Sequence, residues 1–263
     1  MRPEDFDFEL PEAQIAQQPA TRRGDAKMLV LHADGTRSHA VARELPRLCE
    51  DRPLVVLNDS KVVPARAQAR RERDGREFEL LVCEPAPGLP TGATVRAWVR
   101  RAKKLKEGDR LRLGSSLALR YLGPDGVDPR ARAFELVEGD LLDALKGQGE
   151  LPLPPYIHRP EGVREDDLER YQSRFAQHLG SVAAPTAGLH FEDAVLEQLD
   201  PVKLTLHVGP GTFLPMDVED VRDHKVGSER YEVSEDAARR IEEARAAGRP
   251  ILAVGTTVTR TLE

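Results

Sequence analysis

From Ser234 to Thr257 the chain reads SEDAARRIEEARAAGRPILAVGTT, and this stretch predicts the fold class. Ser234 can cap a helix, the two acidic residues after it suit the positive end of the helix dipole, and Gly248 follows the last turn. Ile251–Val254 is then an apolar strand that leads into a Gly-Thr-Thr turn. Because another strand, Lys203–His207, precedes the helix, the order of strand, helix and strand predicts a layered α/β unit.

The flanking segments carry further helix and strand patterns. The predicted strands are Lys27–His32 and Leu54–Leu57, and the predicted helices are Glu12–Gln17, Asp166–Leu179 and Glu192–Leu199. The cluster Asn58-Asp59-Ser60 is typical of a turn after the second strand.

The middle of the chain has a different pattern. Short alternating stretches recur at hairpin-like spacing, and the turns between them are rich in Gly, Pro and Asp, which predicts a small antiparallel barrel. The six predicted strands are Ala65–Arg71, Glu77–Cys83, Thr94–Val99, Arg110–Leu113, Leu117–Tyr121 and Arg132–Val137. The expected fold class is therefore α/β: a mixed α/β domain of residues 1–63 and 151–263, interrupted by a six-stranded antiparallel β-barrel domain at 64–150.

Composition narrows the class of protein. Apolar residues make up 40% of the 263 residues, as in ordinary globular proteins. No apolar run approaches the roughly 20 residues that span a bilayer, and Met1–Leu10 is acidic and unlike a signal peptide. Cys49 and Cys83 are the two cysteines, and no Cys/His spacing is typical of a zinc site. We therefore expect a cytoplasmic protein with no membrane partner and no bound metal.

Positive charge is clustered although the net charge is −6. One cluster spans Arg66–Arg76 and the other spans Arg100–Lys106, and both lie within the segment 64–150 that is predicted to form the barrel. Such clusters either protect exposed strand edges from aggregation or bind nucleic acid.

Three turns that carry glycine or threonine follow strands or short loops. They are Ala184–Phe191, His207–Phe213 and Gly255–Thr257. Glycine allows the backbone to approach a ligand closely, and ligands of open α/β sheets bind at the carboxyl ends of strands. None of the turns matches a phosphate-binding loop or a dinucleotide fingerprint. Each one alone is typical of a structural turn, whereas the three together favour a binding site.

Several side chains near these turns are candidates for chemistry. His190 and His207 either exchange protons near neutral pH or are structural histidines. Asn58 and Asp59 either contact a nucleobase or only form a turn. Tyr156, Tyr171 and Gln172 can stack on and hydrogen-bond a base, although Tyr156 equally suits packing on the proline-rich segment around it.

Several segments resemble the S-adenosylmethionine:tRNA ribosyltransferase-isomerase family of queuosine biosynthesis. Residues 58–66 are similar to the family's Asn-Asp-Thr-Arg-Val-Ile-Pro-Ala-Arg segment, and the similar segments follow one another in order along the chain. The other similar segments are Leu151–Ile157, Arg170–Gln172, Ala183–Phe191, Thr205–Phe213 and Val254–Glu263.

The resemblance implies a reaction. The family moves the ribosyl part of S-adenosylmethionine onto 7-aminomethyl-7-deazaguanine in the tRNA anticodon. The ribosyl group rearranges to give epoxyqueuosine, and adenine and methionine are released. S-adenosylmethionine is then a co-substrate, and no metal or separate cofactor is implied. A non-catalytic or truncated tRNA-binding relative and an enzyme acting on a small nucleoside are the alternatives.

The resemblance also implies roles for residues of this chain. His190 and His207 are the implied catalytic residues, and tRNA binding is expected at the basic clusters. The residues expected to bind S-adenosylmethionine are Gly209, Gly211, Thr212, Thr256 and Thr257. Those expected to bind the base or substrate are Asn58, Asp59, Tyr156, Tyr171, Gln172 and Arg260. Those expected to bind tRNA are Arg66, Arg100, Arg101, Lys103 and Lys104.

The chain also departs from the family pattern. Lys61 stands where the family has arginine, which replaces a planar donor by a point charge. Val226 and Gly227 stand where the family tends to have methionine and a second histidine. Family members continue beyond the position of Glu263 with an Asn-Phe-His-Leu-Pro segment, so the resemblance implies an α/β domain truncated at its C-terminus.

Overall fold

The structure is a computed structural model that describes all 263 residues. Its strands are β1 Lys27–Leu31, β2 Arg37–Val41, β3 Leu54–Asn58, β4 Ser60–Val62, β5 Arg66–Arg71, β6 Glu77–Val82, β7 Thr94–Val99, β8 Arg110–Leu113, β9 Leu117–Pro124, β10 Ala131–Glu138, β11 His178–Ser181, β12 Val202–Leu206, β13 Tyr231–Glu232 and β14 Ile251–Ala253. Its α-helices are α1 Leu45–Leu48, α2 Leu141–Gln148, α3 Glu165–Arg170, α4 Asp193–Leu199, α5 Glu235–Ala246 and α6 Thr256–Leu262. None of the helices is both long and apolar enough to cross a lipid bilayer.

A four-stranded sheet organises the outer segments of the chain. Its order is β13-β12-β3-β14, and β12 and β14 both run parallel to β3. Leu54 and Val56 of β3 pack in one core with α5 and α6, whereas Val55 and Leu57 pack on the other face with α4. Burial on both faces explains the unbroken apolar run in β3. The predicted layered α/β unit is therefore confirmed.

The six strands predicted in the middle of the chain are all present and all pair antiparallel. Each of them, from β5 to β10, is hydrogen-bonded to two others, so that the sheet closes on itself in the order β10-β7-β6-β5-β8-β9. Alternate side chains point inward into a core of 22 buried residues that includes Phe78 and Phe134. Helix α2, which was not predicted, covers this core with Leu141 and Leu145.

The closed sheet joins the α/β sheet through one narrow connection. The chain enters it at Pro64 and leaves it at Gly149, where Arg66 and Glu150 exchange backbone hydrogen bonds of 3.2 and 2.6 Å. A Cβ atom on Gly149 would lie 1.9 Å from the Pro64 carbonyl oxygen, so only glycine fits between the two crossing chains. The entering and leaving chains are therefore held against each other.

A short parallel pair, β4 with β11, extends this connection. The Val63 amide donates to the Ser181 carbonyl at 2.8 Å, and Val182 packs in the core of the closed sheet. Strand β11 therefore contacts both sheets, and the segment after it lies between them.

Two predictions from the sequence are wrong in this region. The helix predicted over Asp166–Leu179 ends at Arg170, and its last residues belong to β11. The turn predicted at Asn58-Asp59-Ser60 is instead a direct passage from β3 to β4, in which all three residues are buried. In both places long-range strand pairing replaces the local structure that the sequence favours.

The predicted helix Glu12–Gln17 is shorter than expected, a single 3₁₀ turn over Glu12–Gln14.

Candidate active site

A cavity of about 210 Å³ lies between the closed sheet and the α/β sheet. Its walls come from the β6–β7 hairpin on one side and from β11 and the segments that follow β12 on the other. The polar lining residues are Glu84, Thr94, Arg96, His207, Ser228, Glu229 and Arg230, with Cys83 beside them. A ligand in this cavity would contact both sheets at once, as ligands commonly do at such junctions.

Asn58 and Asp59 lie at the carboxyl end of β3, next to β12, and neither of them lines the cavity. The Asn58 amide donates to the Leu206 carbonyl at 2.9 Å, and its oxygen accepts from the Leu206 amide at 3.0 Å. Asn58 thus continues the β3–β12 ladder with its side chain. Asp59 Oδ1 accepts from the Thr205 hydroxyl at 2.7 Å, and Asp59 Oδ2 lies 3.7 Å from His178 Nε2. Both side chains are buried and already engaged within the fold.

His207 lies directly after β12 and lines the cavity. Its Nδ1 lies 2.9 Å from the Ser60 hydroxyl, and that hydroxyl contacts the Ser181 hydroxyl. Burial, with smaller contributions from the positive charges of Arg230 and His178, lowers the pKa of His207 to about 4. The imidazole is therefore neutral at neutral pH and available for hydrogen bonding with a ligand.

Gly180 lets the His207 ring approach the backbone of β11. A Cβ atom at this position would lie 2.6 Å from His207 Nδ1, and Gly180 has φ +154°, which side chains rarely adopt. The ring is consequently held between β11 and the cavity.

Glu229 connects the turn after His207 to the end of the chain. Its Oε1 accepts from the Gly209 amide at 2.9 Å, and its Oε2 accepts from Arg260 at 2.5 Å. Arg260 also donates to the Gly227 carbonyl at 3.0 Å. Arg260 therefore lies at the edge of the site but is held by a carboxylate of the protein.

The three turns predicted to form one site are neighbours. Val208 and Phe213 pack with Ala183 in a small apolar cluster, which joins the turns at 207–213 and 184–191. A Cβ atom on Gly255 would lie 3.0 Å from Ala187, which brings the third turn beside the second. The remaining predicted donor-binding residues lie on these turns: Gly211, Thr212 and Thr256 are exposed, and Thr257 is half-buried in the first turn of α6.

His190 lies apart from the cavity. It is not among the cavity-lining residues, and its side chain is exposed at the end of its turn. Although the residue is exposed, the surrounding protein shields its ring partly from water, and this shielding and the charge of Arg23 lower its pKa. Of the two predicted catalytic histidines, the structure therefore brings only His207 to the cavity.

The aromatic and amide candidates have different environments. Tyr171 is buried with Val62 and Leu151, and burial raises its pKa to about 12. Both polar atoms of the Gln172 amide bond the Val62 backbone at 2.9 Å, so Gln172 acts as an extra ladder partner of β4. Tyr156 is 51% exposed, so its ring, unlike that of Tyr171, is open to solvent.

The two basic clusters differ in their availability. Arg71 is 2% exposed and forms ion pairs with Asp74 at 2.6 Å and Asp109 at 2.7 Å, so it stabilises the closed sheet. The predicted tRNA-binding residues, in contrast, have no acidic side chain within ion-pairing distance. Arg66 is half-buried, and the exposed ones are Arg100, Arg101, Lys103 and Lys104.

Sequence reasoning missed several residues of the site. Ser60, Ser181 and Gly180 surround His207, and Glu229 holds the glycine turn. Ser60 lies within a segment that the sequence singled out, whereas Gly180 and Ser181 directly follow the helix that was predicted over Asp166–Leu179. Their role depends on the β4–β11 pairing, which has no local signal in the sequence.

The protein is thus of the α/β class, with an α/β sheet joined to a six-stranded antiparallel sheet. Its candidate ligand site is the cavity between the two sheets, which contains the neutral His207. The family model described as "Queuosine biosynthesis protein" matches residues 3–263. The chain therefore belongs to the queuosine biosynthesis family whose members include S-adenosylmethionine:tRNA ribosyltransferase-isomerases.

Curated relatives are similar over the whole of this chain. The S-adenosylmethionine:tRNA ribosyltransferase-isomerase of Anaeromyxobacter sp. (strain Fw109-5) is 43% identical over 274 residues, covering 100% of this chain and 76% of that protein. The protein of the same name from Halothermothrix orenii is 40% identical, with the same coverage. A solved structure of S-adenosylmethionine tRNA ribosyltransferase from Thermotoga maritima is 28% identical, covers 98% of this chain and 72% of that one, and has a TM-score of 0.43.

Proposed function

We propose that this protein is an S-adenosylmethionine:tRNA ribosyltransferase-isomerase. It would move the ribosyl part of S-adenosylmethionine onto 7-aminomethyl-7-deazaguanine in a tRNA anticodon, giving epoxyqueuosine and releasing adenine and methionine. The observation that carries the proposal is the cavity at the junction of the two sheets, lined by His207 of the segment Thr205–Phe213 that resembles the family. S-adenosylmethionine is consumed as a co-substrate, without a metal or cofactor, and the tRNA substrate implies a cytoplasmic enzyme.

This reaction requires positioned proton donors and acceptors. A base removes a proton beside the sulfonium, a donor assists the departure of adenine, and the acceptor amine attacks as a neutral group. The neutral His207 ring suits such a role, because it can form hydrogen bonds without placing a second positive charge beside the sulfonium. Arg260 would contact polar groups of the substrates at the edge of the site, whereas the buried Asp59 would act through its hydrogen bond to Thr205 by holding β12 in place.

The turns around His207 support a donor site. We place the adenosyl donor along Gly209, Gly211 and Thr212, with Thr256 and Thr257 beside them. The contacts through Ala183 and Ala187 support this placement, since they keep the three turns adjacent. The exposed ring of Tyr156 suits stacking on a base, whereas Asn58, Tyr171 and Gln172 would act by holding the strands on which the site is built.

The basic segment after β7 supports tRNA binding. Thr94 and Arg96 at the start of β7 line the cavity, and Arg100 follows its other end. At about 3.3 Å per residue, Arg96 at the cavity and Arg100 at the start of the basic segment lie roughly 13 Å apart along this strand. A tRNA arm lying along the closed sheet would therefore contact Arg100–Lys104 while its anticodon base reaches the cavity.

The proposal is tested by adenine release. The protein is incubated with S-adenosylmethionine and with tRNA that carries 7-aminomethyl-7-deazaguanine, and free adenine is measured by chromatography. We expect adenine only when both substrates are present, and tRNA carrying unmodified guanine is the matched control. Tight tRNA binding without adenine release would contradict the proposal and identify a non-catalytic tRNA-binding relative.

A further inference from the structure

We propose that Ser60 and Ser181 are positioning residues that hold His207 in the tautomer with its proton on Nε2, so that the ring presents an N–H donor to the cavity. The inference rests on the proposed function only for the identity of the ligand. The tautomer itself follows from the hydrogen bonds around the ring.

A continuous chain of hydrogen bonds leads from the backbone to the imidazole. The Val208 amide donates to the Ser181 hydroxyl oxygen at 2.8 Å. The Ser181 and Ser60 hydroxyls contact each other, and the Ser60 hydroxyl lies 2.9 Å from His207 Nδ1. Because a backbone amide can only donate, the direction of the first bond in the chain is fixed.

The remaining hydrogen bonds can run in two directions, and in only one of them does every hydroxyl proton have an acceptor. Ser181 accepts from Val208 and donates to Ser60, and Ser60 then donates to His207 Nδ1. In the reverse direction Nδ1–H donates to Ser60 and Ser60 donates to Ser181. The Ser181 proton would then have no acceptor, although Ser181 is fully buried. An unsatisfied buried donor is costly, so the first direction is favoured and Nδ1 is the acceptor.

The opposite edge of the ring is left for the ligand. Nε2 has no hydrogen-bond partner in the protein, and His207 lines the cavity. In the neutral Nδ1-acceptor form, Nε2 carries the proton and cannot accept another. His207 is then a hydrogen-bond donor to a lone pair of the ligand, such as a ring nitrogen of the departing adenine. The base that removes the proton beside the sulfonium would be another group.

Nitrogen NMR of the protein labelled with ¹⁵N-histidine tests the tautomer directly. The His207 signals are assigned from their loss in His207→Gln, and the spectrum is recorded at pH 7 without substrate. We expect Nδ1 to resonate as the unprotonated ring nitrogen and Nε2 as the protonated one. The opposite pattern, with the proton on Nδ1, would overturn the inference.

Three variants connect the tautomer to catalysis. Ser60→Ala removes the donor to Nδ1, Ser60→Thr keeps a hydroxyl there, and Ser173→Ala removes a buried hydroxyl that has no hydrogen-bond partner. We expect Ser60→Ala to mix the two tautomers and to lower kcat for adenine release by up to about 10²-fold, at the lower end of the effect of losing one transition-state hydrogen-bond donor. Ser60→Thr should restore the wild-type spectrum and most of kcat, and Ser173→Ala should retain both.

The two proposals fail in different ways. If Ser60→Ala and Ser60→Thr lose kcat equally, or if Ser60→Ala keeps the wild-type tautomer, the positioning role is wrong. If wild-type protein shows the expected tautomer but releases no adenine, the positioning role stands and the proposed function fails.

Discussion

His207 is the residue at which the cavity, the strand β12 and the two serines meet. Replacing it by glutamine keeps a polar side chain but removes the imidazole. We expect His207→Gln to lower kcat for adenine release by about 10²- to 10³-fold, the usual cost of removing one hydrogen-bond donor that stabilises charge in the transition state. His190→Gln is the matched comparison, because His190 lies outside the cavity, and we expect it to cost much less. Equal losses in the two variants, measured with saturating substrates, would contradict a special role for His207.

The lowered pKa of His207 also predicts a dependence of stability on pH. Folding lowers this pKa from 6.5 to about 4, so between these pH values the unfolded chain binds a proton that the folded chain excludes. Above pH 6.5 this difference in proton binding does not reduce the free energy of unfolding. As the pH decreases from 6.5 towards 4, protonation of His207 in the unfolded chain reduces the free energy of unfolding progressively. We expect the urea midpoint to fall between pH 7 and pH 5, and to fall less in His207→Gln than in wild type. An identical decrease in both proteins would show that other groups cause it.

At the scale of elements, the close approach of β11 to His207 gives a test of the site geometry. Gly180→Ala would add a Cβ atom 2.6 Å from Nδ1 at φ +154°. We expect it to destabilise the protein by about 1–3 kcal/mol and to displace the ring, reducing adenine release.

Gly147→Ala in α2 is the control for this substitution, because nothing lies within 4 Å of its Cβ position. It should stabilise the protein by up to about 0.5–1 kcal/mol and leave activity unchanged. Urea unfolding and the adenine assay measure both effects. Normal stability and activity of Gly180→Ala would show that the ring is free to move away.

The elements also show which parts of the fold could be predicted from sequence. The alternating strands β5–β10 and the capped helix α5 have strong local patterns, and each was predicted within a few residues. Strands β4 and β11 are short and pair across the chain, so no local period reveals them. The predicted helix Asp166–Leu179 ends at Arg170, because the bonds from Gln172 to the Val62 backbone hold the following segment against β4 instead.

At the scale of the whole molecule, the candidate site depends on two sheets coming together. The sequence indicated that three turns on the α/β sheet form one site, and the structure shows that these turns are neighbours through apolar contacts. It did not indicate that the β6–β7 hairpin supplies the facing wall through Glu84, Thr94 and Arg96. That wall depends on how the closed sheet is oriented by the connection at Gly149, and such an orientation is set by long-range packing rather than by any local sequence pattern.

The orientation of the closed sheet leads to a prediction for the molecule as a whole. If the basic segment after β7 binds tRNA phosphates, affinity should fall with salt, because each contact releases condensed counterions. In the combined variant Arg100→Gln, Lys103→Gln and Lys104→Gln, we expect the slope of log K against log salt to decrease by up to about 1 per residue. Filter binding of tRNA across a salt series measures this slope.

Arg112→Gln is the control on the same sheet, because Arg112 is paired with Glu72 at 2.7 Å and with Glu138 at 3.1 Å. A paired arginine has little charge to offer a phosphate, so its replacement should leave the slope unchanged. Adenine release separates binding from chemistry: the combined variant should require more tRNA to reach half-maximal rate but reach the wild-type kcat. If kcat falls while the salt slope stays at its wild-type value, the segment acts on the cavity along β7 and not on the tRNA.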